Sequence, residues 1–278
     1  MTISIAQALS AARQEGMERS DAQILLLHTL GRGPGDRAWL ITHDTDLLSQ
    51  AQQQRWQQLC AQRQQGVPVA YLTGHKEFYG LDLAVDGRVL DPRPDTETLV
   101  DWALELMPQH TACRVVDLGT GSGAIALALQ SQRPSAQVVA VDASADALAV
   151  AQSNARQLQL KVQFAHGSWL EPLLGQPQFD LIVSNPPYIR SDDPHLAALT
   201  HEPLCALASG EDGLADIRHI IAQAPAQLKP GGWLLFEHGW DQADAVAQLL
   251  RQAGFAAVQH RLDLAGIARC TGGQWLAS

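Results

Sequence analysis

From residue 3 to about residue 65 the apolar positions recur at three- and four-residue spacing, the period of helices that share one buried stripe. The pattern predicts a small helical bundle. Ser20 and Gln23 are placed as a capping box opening a helix through Leu30, and the glycines between 31 and 35 break the run. Residues 48–64 then read as a Gln-rich helix whose Trp56 and Leu59 face inward. Between 69 and 97 short apolar runs alternate with turn residues, which predicts a β-hairpin linker. A helix over 98–107 follows, with Asp95 or Thr96 as its cap.

Beyond Cys113 the period changes to an alternation of strands and helices. Strands are expected over 114–118, 137–142, 162–165, 179–184 and 233–237, with helices over 123–132 and 145–158 between the first three. After an insert over 190–212, a helix precedes the 233–237 strand and another follows it. Two last segments lie near Val258 and over 267–271. Such alternation implies a mostly parallel, doubly wound α/β sheet, and the two adjacent C-terminal strands imply an antiparallel edge. Three parts follow from the pattern: a helical domain over 1–73, a hairpin linker over 74–96 and an α/β domain over 97–278.

Two stretches at strand ends carry chemistry. Asp117-Leu118-Gly119-Thr120-Gly121-Ser122-Gly123 closes the first strand and opens a helix, and its glycines permit a tight turn with a ligand close to the backbone. Read through Ala124, the same residues fit the dinucleotide fingerprint, so the loop suits an adenosyl cofactor or a nicotinamide one. Asp142 ends the second strand, where a carboxylate can accept both hydroxyls of a ribose. Trp169, after the third, offers a face for adenine.

The second stretch is Asn185-Pro186-Pro187-Tyr188, at the end of a short β-branched strand of the kind buried on both faces. The prolines fix the backbone and leave its carbonyls free to accept. Asn185 Oδ1 and the Pro186 carbonyl can each take one proton of a planar NH2 group, while Tyr188 stacks on it. A dehydrogenase has no use for such a platform.

Composition narrows the partners. A formal net charge of −10, with no Lys/Arg-rich run, disfavours a phosphate-gripping face and leaves a protein or small molecule as substrate. Cys60, Cys113, Cys205 and Cys270 form no Cys-x-x-Cys pair, the histidines form no His-Glu-x-x-His pair, and no metal site is expected. With no signal-like N-terminus and no long apolar run, a cytoplasmic location and no membrane partner are expected.

The glycine loop, Asp142 and Asn-Pro-Pro-Tyr together resemble class I S-adenosylmethionine-dependent methyltransferases that modify planar nitrogens. Tyr71-Leu72-Thr73-Gly74, Glu77-Phe78, Pro92-Arg93-Pro94-Asp95-Thr96-Glu97, Asp193-Pro194-His195-Leu196, Glu237-His238-Gly239 and the tail Asp263-Leu264-Ala265-Gly266 with Arg269 extend the likeness over almost the whole chain. They resemble the HemK/PrmC family of peptide chain release factor N5-glutamine methyltransferases.

That resemblance implies a seven-stranded sheet, an N-terminal domain that helps recognise class 1 release factors, and methylation of the glutamine in their Gly-Gly-Gln motif, which modulates translation termination. It implies S-adenosylmethionine held by Gly119, Thr120, Gly121, Ser122, Gly123, Asp142, Trp169 and Asn185. It implies a substrate site of Asn185, Pro186, Pro187 and Tyr188, with Asn185 and Tyr188 catalytic. A branch acting on a ribosomal protein and adenine-N6 nucleic-acid enzymes share Asn-Pro-Pro-Tyr and stand as alternatives. The chain departs from the family at Ser168, where an acidic residue is common, and at Asp91, where an apolar one is usual. Gly272-Gly273-Gln274 imitates the tripeptide that the family methylates, which raises self-methylation at Gln274 as a question.

Overall fold

The computed structural model describes residues 2–276, which fall into two compact units dividing between His75 and Lys76. The first holds helices α1 (Ile5–Gln14), α2 (Arg19–Thr29), α3 (Arg37–Thr42), α4 (Gln50–Gln64) and α5 (Val69–Thr73). Their stripes meet in one core of Ile5, Ala8, Leu25, Leu26, Leu40, Trp56 and Leu59.

The letters Ser-x-x-Gln occur three times at helix starts here, and two of them form reciprocal caps. Ser4 with Gln7 opens α1, and Ser49 with Gln52 opens α4. The cap expected at Ser20 and Gln23 does not form, because α2 already begins at Arg19 after an uncapped Glu18 and Ser20 lies inside its first turn. Residues 69–73, read as part of an extended linker, are helical: Pro68 stands at the helix entry and Gly74 ends it in the left-handed region at φ +77°.

A two-stranded hairpin, β1 (His75–Phe78) and β2 (Leu81–Ala84), comes next in the chain. It is narrower than expected, since residues 88–93 form no strand. Helix α6 (Glu97–Leu106) follows a 3-10 turn over Pro94–Thr96. Neither expected cap operates, because Thr96 keeps helical angles and gives α6 no side-chain hydrogen bond.

There follow β3 (Arg114–Leu118), α7 (Ala124–Gln132), β4 (Gln137–Asp142), α8 (Ala145–Gln157), β5 (Gln163–His166), β6 (Phe179–Ser184), α9 (Ala215–Gln227), β7 (Leu228–Glu237), α10 (Ala243–Gln252), β8 (Phe255–Leu262) and β9 (Ala268–Trp275). The seven-stranded sheet has the order β5-β4-β3-β6-β7-β9-β8, parallel except where β9 pairs with β7 and β8. The expected sheet and its antiparallel edge are both present.

Strand order reverses between β3 and β6, the position at which open α/β sheets take ligands beyond their carboxyl ends. One face of the sheet is sealed by Ile217, Ile220 and Ala224 of α9 with Val246 and Leu250 of α10, packed on Val116, Leu118, Ile182, Leu234 and Phe236. On the other, Trp102 of α6 meets Trp233 edge-on with ring centroids 6.3 Å apart.

Gly272, in the middle of β9, faces this second layer. A Cβ there would overlap Leu235 Cδ2 and stand 2.8 Å from both the Leu234 carbonyl oxygen and the Trp102 ring. Gly272→Ala is therefore expected to lower unfolding stability by about 1–3 kcal/mol through overpacking. Chemical denaturation checks this, and an unchanged midpoint would contradict it. Gln274 pairs with Trp233 and Ala256, and its Nε2 donates to the Gly231 carbonyl at 2.9 Å. Trp233 lies four residues before Glu237, so Gln274 stands roughly 13 Å down the sheet from the carboxyl ends. That is well away from the strand ends that carry the glycine loop and Asn185.

Candidate active site

β3 runs buried into a loop in which Gly119, Gly121 and Gly123 have φ of +73°, +55° and +86°, angles that side chains resist. The Gly119 and Thr120 amides both donate to the Val141 carbonyl, at 2.9 and 3.0 Å, and that pairing folds the loop back over β4. Asp117 holds it from below: Oδ2 accepts from the Thr120 hydroxyl at 2.6 Å and from the Ala126 amide at 3.2 Å. Its Oδ1 is buried without a partner, and burial pushes the carboxyl up to about 7.

Behind the loop, Asn154 of α8 donates from Nδ2 to the carbonyls of Ser122 (2.9 Å) and Ala84 (3.0 Å) and accepts the Ala84 amide at 2.8 Å. It locks the hairpin to the glycine loop. Sequence reasoning passed over it, although an amide on the apolar face of an amphipathic helix was a readable signal.

Asp142, at the end of β4, accepts the Gly121 amide on Oδ2 and the Ser144 amide on Oδ1, each at 2.9 Å. A carboxylate has about four acceptor positions, so two remain. Trp169, after β5, adopts φ +49° and lays its ring against Gly119, 3.3 Å from where a Cβ would stand. Glycine loop, Asp142 and Trp169 thus form one corner of the sheet's carboxyl edge. Ser168 contributes its carbonyl to the turn beneath, accepting the Glu171 amide at 3.0 Å.

The next corner is built on β6. Leu118 and Ser184 are register partners, and the Ser184 hydroxyl donates to the Leu118 carbonyl at 2.8 Å, so Asn185 begins where the glycine loop begins. Asn185 Nδ2 donates to the Thr96 hydroxyl at 3.3 Å. Pro186 is buried, while Pro187 and Tyr188 are half-buried. Burial, reinforced by the nearby Glu237 carboxylate, pushes the Tyr188 phenol up to about 12.

The backbone of this platform is clamped from the insert and from β7's exit. The Tyr188 and Ile189 amides donate to the Leu207 carbonyl, and Gln242 Nε2 donates to the Tyr188 carbonyl at 3.0 Å. Gly213 passes so close that a Cβ would overlap the Tyr188 carbonyl oxygen. Nothing in the spacing marked Gln242 or Gly213, which come from distant parts of the chain.

The other stretches that carry the resemblance brace these corners. Arg93 Nη2 donates to both carboxylate oxygens of the buried Glu202, at 2.8 and 2.7 Å, which ties the segment before α6 to the insert. Asp91, the departure from the family, lies 3.3 Å from Lys76 and 3.6 Å from Arg93, so a carboxylate is accommodated between two cations. His238 is wholly buried, and burial pulls it down to about 4. Its Nδ1 faces the Gly239 carbonyl, which can only accept, so Nδ1 carries the proton. Nε2 then accepts from the Thr271 hydroxyl at 2.6 Å, pinning β7 to β9.

All the sequence-predicted site residues therefore gather at the carboxyl ends of β3, β4, β5 and β6. Among the described residues no group of three or more His, Cys, Asp or Glu side chains is placed to hold a metal, and no helix is long and apolar enough to cross a membrane.

A mostly parallel seven-stranded sheet of this order, with a glycine loop after β3 and an antiparallel β9, defines a class I S-adenosylmethionine-dependent methyltransferase. Solved structures agree on the fold. A methyltransferase from Pyrococcus furiosus superposes with a TM-score of 0.58 at 15% identity, covering 78% of this chain and all of that one. The human METTL16 catalytic domain in complex with an RNA hairpin gives 0.59 at 16%, covering 73% and 79%.

Residues 96–210 match the methyltransferase small domain and residues 3–74 the PrmC N-terminal domain. Release factor glutamine methyltransferases are similar over nearly the full length. That of Bordetella pertussis is 51% identical, covering 93% of this chain and 95% of its own. Those of Xylella fastidiosa (52%; 96% and 97%) and Escherichia coli (44%; 97% and 96%) match as broadly. The chain belongs to the release factor glutamine methyltransferase family.

Proposed function

We propose that this enzyme transfers the methyl group of S-adenosylmethionine to the side-chain amide nitrogen of the Gly-Gly-Gln glutamine in class 1 peptide chain release factors. The observation that carries this reading is the adjacency of the two corners. The glycine loop and Asn185 leave neighbouring strands at paired residues, Leu118 and Ser184. A cofactor on one and a planar amide on the other are then side by side.

The residues present fit the cofactor. Asp142 retains acceptor positions for ribose hydroxyls, Trp169 offers its ring beside Gly119, and the unpartnered Asp117 Oδ1 favours a cation near the loop. Gly119 through Gly123 shape the cradle, with Asn185 at its border. When bound, S-adenosylmethionine supplies an electrophilic methyl on a sulfonium centre.

The chain's own work is orientation. A carboxamide nitrogen is a weak nucleophile because its lone pair is delocalised into the carbonyl. Asn185 Oδ1 and the Pro186 carbonyl accept its two protons, which aligns the nitrogen and stabilises the positive charge that develops on it. Tyr188 stacks on the amide plane and stays protonated, so no general base precedes transfer. The proton leaves afterwards.

The helical domain over 1–73 would take part in recognising the release factor, with 74–96 as linker and 97–278 as catalytic domain. The match of residues 3–74 to the PrmC N-terminal domain supports this division. The acidic balance and the full-length relatives favour a release factor in the cytoplasm over a ribosomal protein or a nucleic acid. Incubating labelled cofactor with a release factor, ribosomal proteins and DNA side by side tests the reading. Label is expected on the release factor alone and lost when its Gly-Gly-Gln glutamine is changed; label on DNA or ribosomal protein instead would refute it.

A further inference from the structure

The end of β7 holds a carboxylate that the mechanism above leaves unused. Glu237 is 2% exposed and follows Phe236, the register partner of Ser184, so it stands beside Asn185 at the neighbouring strand end. Its Oε2 has no hydrogen-bond partner, although the carboxyl faces the Thr96 hydroxyl and the Asn185 amide. A carboxylate taken out of water is destabilising unless it is compensated. The cation facing it, Arg269, is itself shared with Asp263 at 3.1 Å and Asp95 at 3.5 Å.

Hydrogen-bond direction gives this cluster a purpose. Asn185 Nδ2 can only donate, so the Thr96 hydroxyl accepts it at 3.3 Å and its own proton is left to donate. The Glu237 carboxyl beside it, with Oε2 buried and unpartnered, is the acceptor available to that proton. With Nδ2 held toward Thr96, Asn185 Oδ1 is turned to the opposite side.

We propose that Thr96 and Glu237 are positioning residues for Asn185, forming a directed chain in which Asn185 donates to Thr96 and Thr96 donates to the Glu237 carboxylate. The proposal rests on the reading that Asn185 Oδ1 accepts a proton of the substrate amide. The chain selects one of the two flips of the Asn185 side chain and leaves the acceptor, not the donor, facing substrate. An ionised Glu237 also polarises the chain, which makes Oδ1 a better acceptor as positive charge grows on the substrate nitrogen.

The groups facing Glu237 are Arg269, Cys270, Asp95, Tyr188 and the neighbouring neutral His238. Burial outweighs the hydrogen bonds and Arg269 and pushes the carboxyl up to about 7. The ionised form therefore dominates only above that pH, and kcat rises as pH climbs through about 7. Asp117 titrates in the same range, but at the glycine loop, where its effect falls on cofactor binding.

Steady-state kinetics of the full chain with S-adenosylmethionine and a release factor test this, with cofactor affinity measured by calorimetry for each variant. Thr96→Val is expected to lower kcat on the order of 10- to 100-fold, the scale of orienting hydrogen bonds behind a functional group, with cofactor affinity unchanged. Thr96→Ser restores most of the loss. Glu237→Gln lowers kcat and removes its rise through pH 7.

A second readout does not depend on turnover: the side-chain amide resonance of Asn185 moves with pH through about 7 in the parent protein and stops moving in Glu237→Gln. This readout decides if Thr96→Val fails to bind cofactor. Parent-like kcat in Thr96→Val, a retained pH rise in Glu237→Gln, or a static Asn185 resonance overturns the proposal. Full activity in Asn185→Ala overturns instead the functional reading on which it rests.

Discussion

Asn185→Ala is expected to lower kcat for release-factor methylation on the order of 10²–10³-fold, the scale of losing one prepositioned hydrogen-bond partner of developing charge. The effect falls on kcat because the acceptor strengthens its hold as the amide nitrogen turns positive, while the ground-state amide is nearly neutral. Cofactor affinity should change less than kcat, since Asp142, Trp169 and the glycine loop are untouched and Asn185 stands only at the border of the cradle. The fold should persist, because Asn185 is only half-buried and its side chain bonds to Thr96 at a long 3.3 Å. Single-turnover rates with saturating cofactor and release factor provide the measurement. A variant that methylates at a near-parent rate would remove Asn185 from the mechanism and with it the platform account of Asn-Pro-Pro-Tyr.

Gly213→Ala is expected to be comparably damaging by another route. Gly213 sits at φ +74°, and an added Cβ would overlap the Tyr188 carbonyl oxygen and lie 2.7 Å from Gln242 Nε2. The hydrogen bond between Gln242 and that carbonyl must open, and the backbone of the platform must move. Displacing a positioned substrate by about 1 Å can cost 10²-fold in rate, and the left-handed strain adds about 1–3 kcal/mol of destabilisation. The two effects separate experimentally. Thermal unfolding reads the strain, and kcat at a temperature where the variant is fully folded reads the displacement. A variant that is destabilised but catalytically intact would show that Gly213 serves only the fold.

The parts of this molecule that sequence made legible are those in which chemistry and local geometry coincide. The glycine loop and Asn-Pro-Pro-Tyr each follow a short β-branched strand, so residue type, spacing and strand end identify both corners without long-range information. Helix entries were less legible, because Ser20 and Ser49 carry the same local letters and only the packing of the bundle decides which one caps. Thr96 illustrates the same limit at the site. Its position announces a cap, but the proximity of Asn185, 89 residues later, recruits the hydroxyl for another bond. Gln242, Gly213 and Glu202 were unreadable for the same reason, since each acts on a partner far away along the chain.

The glycine pair of β9 has a consequence for how substrates of this enzyme class are sought. Trp102 and Leu235 leave no room for a side chain at Gly272, and Gln274 spends its amide on the Gly231 carbonyl. The chain therefore spells its target tripeptide for reasons of packing, in a strand hydrogen-bonded along both edges. Letters alone do not make a methyl acceptor. Only a Gly-Gly-Gln whose backbone is unpaired and whose amide is unspent can enter the site, so candidates drawn from a proteome are best ranked by how the tripeptide is presented.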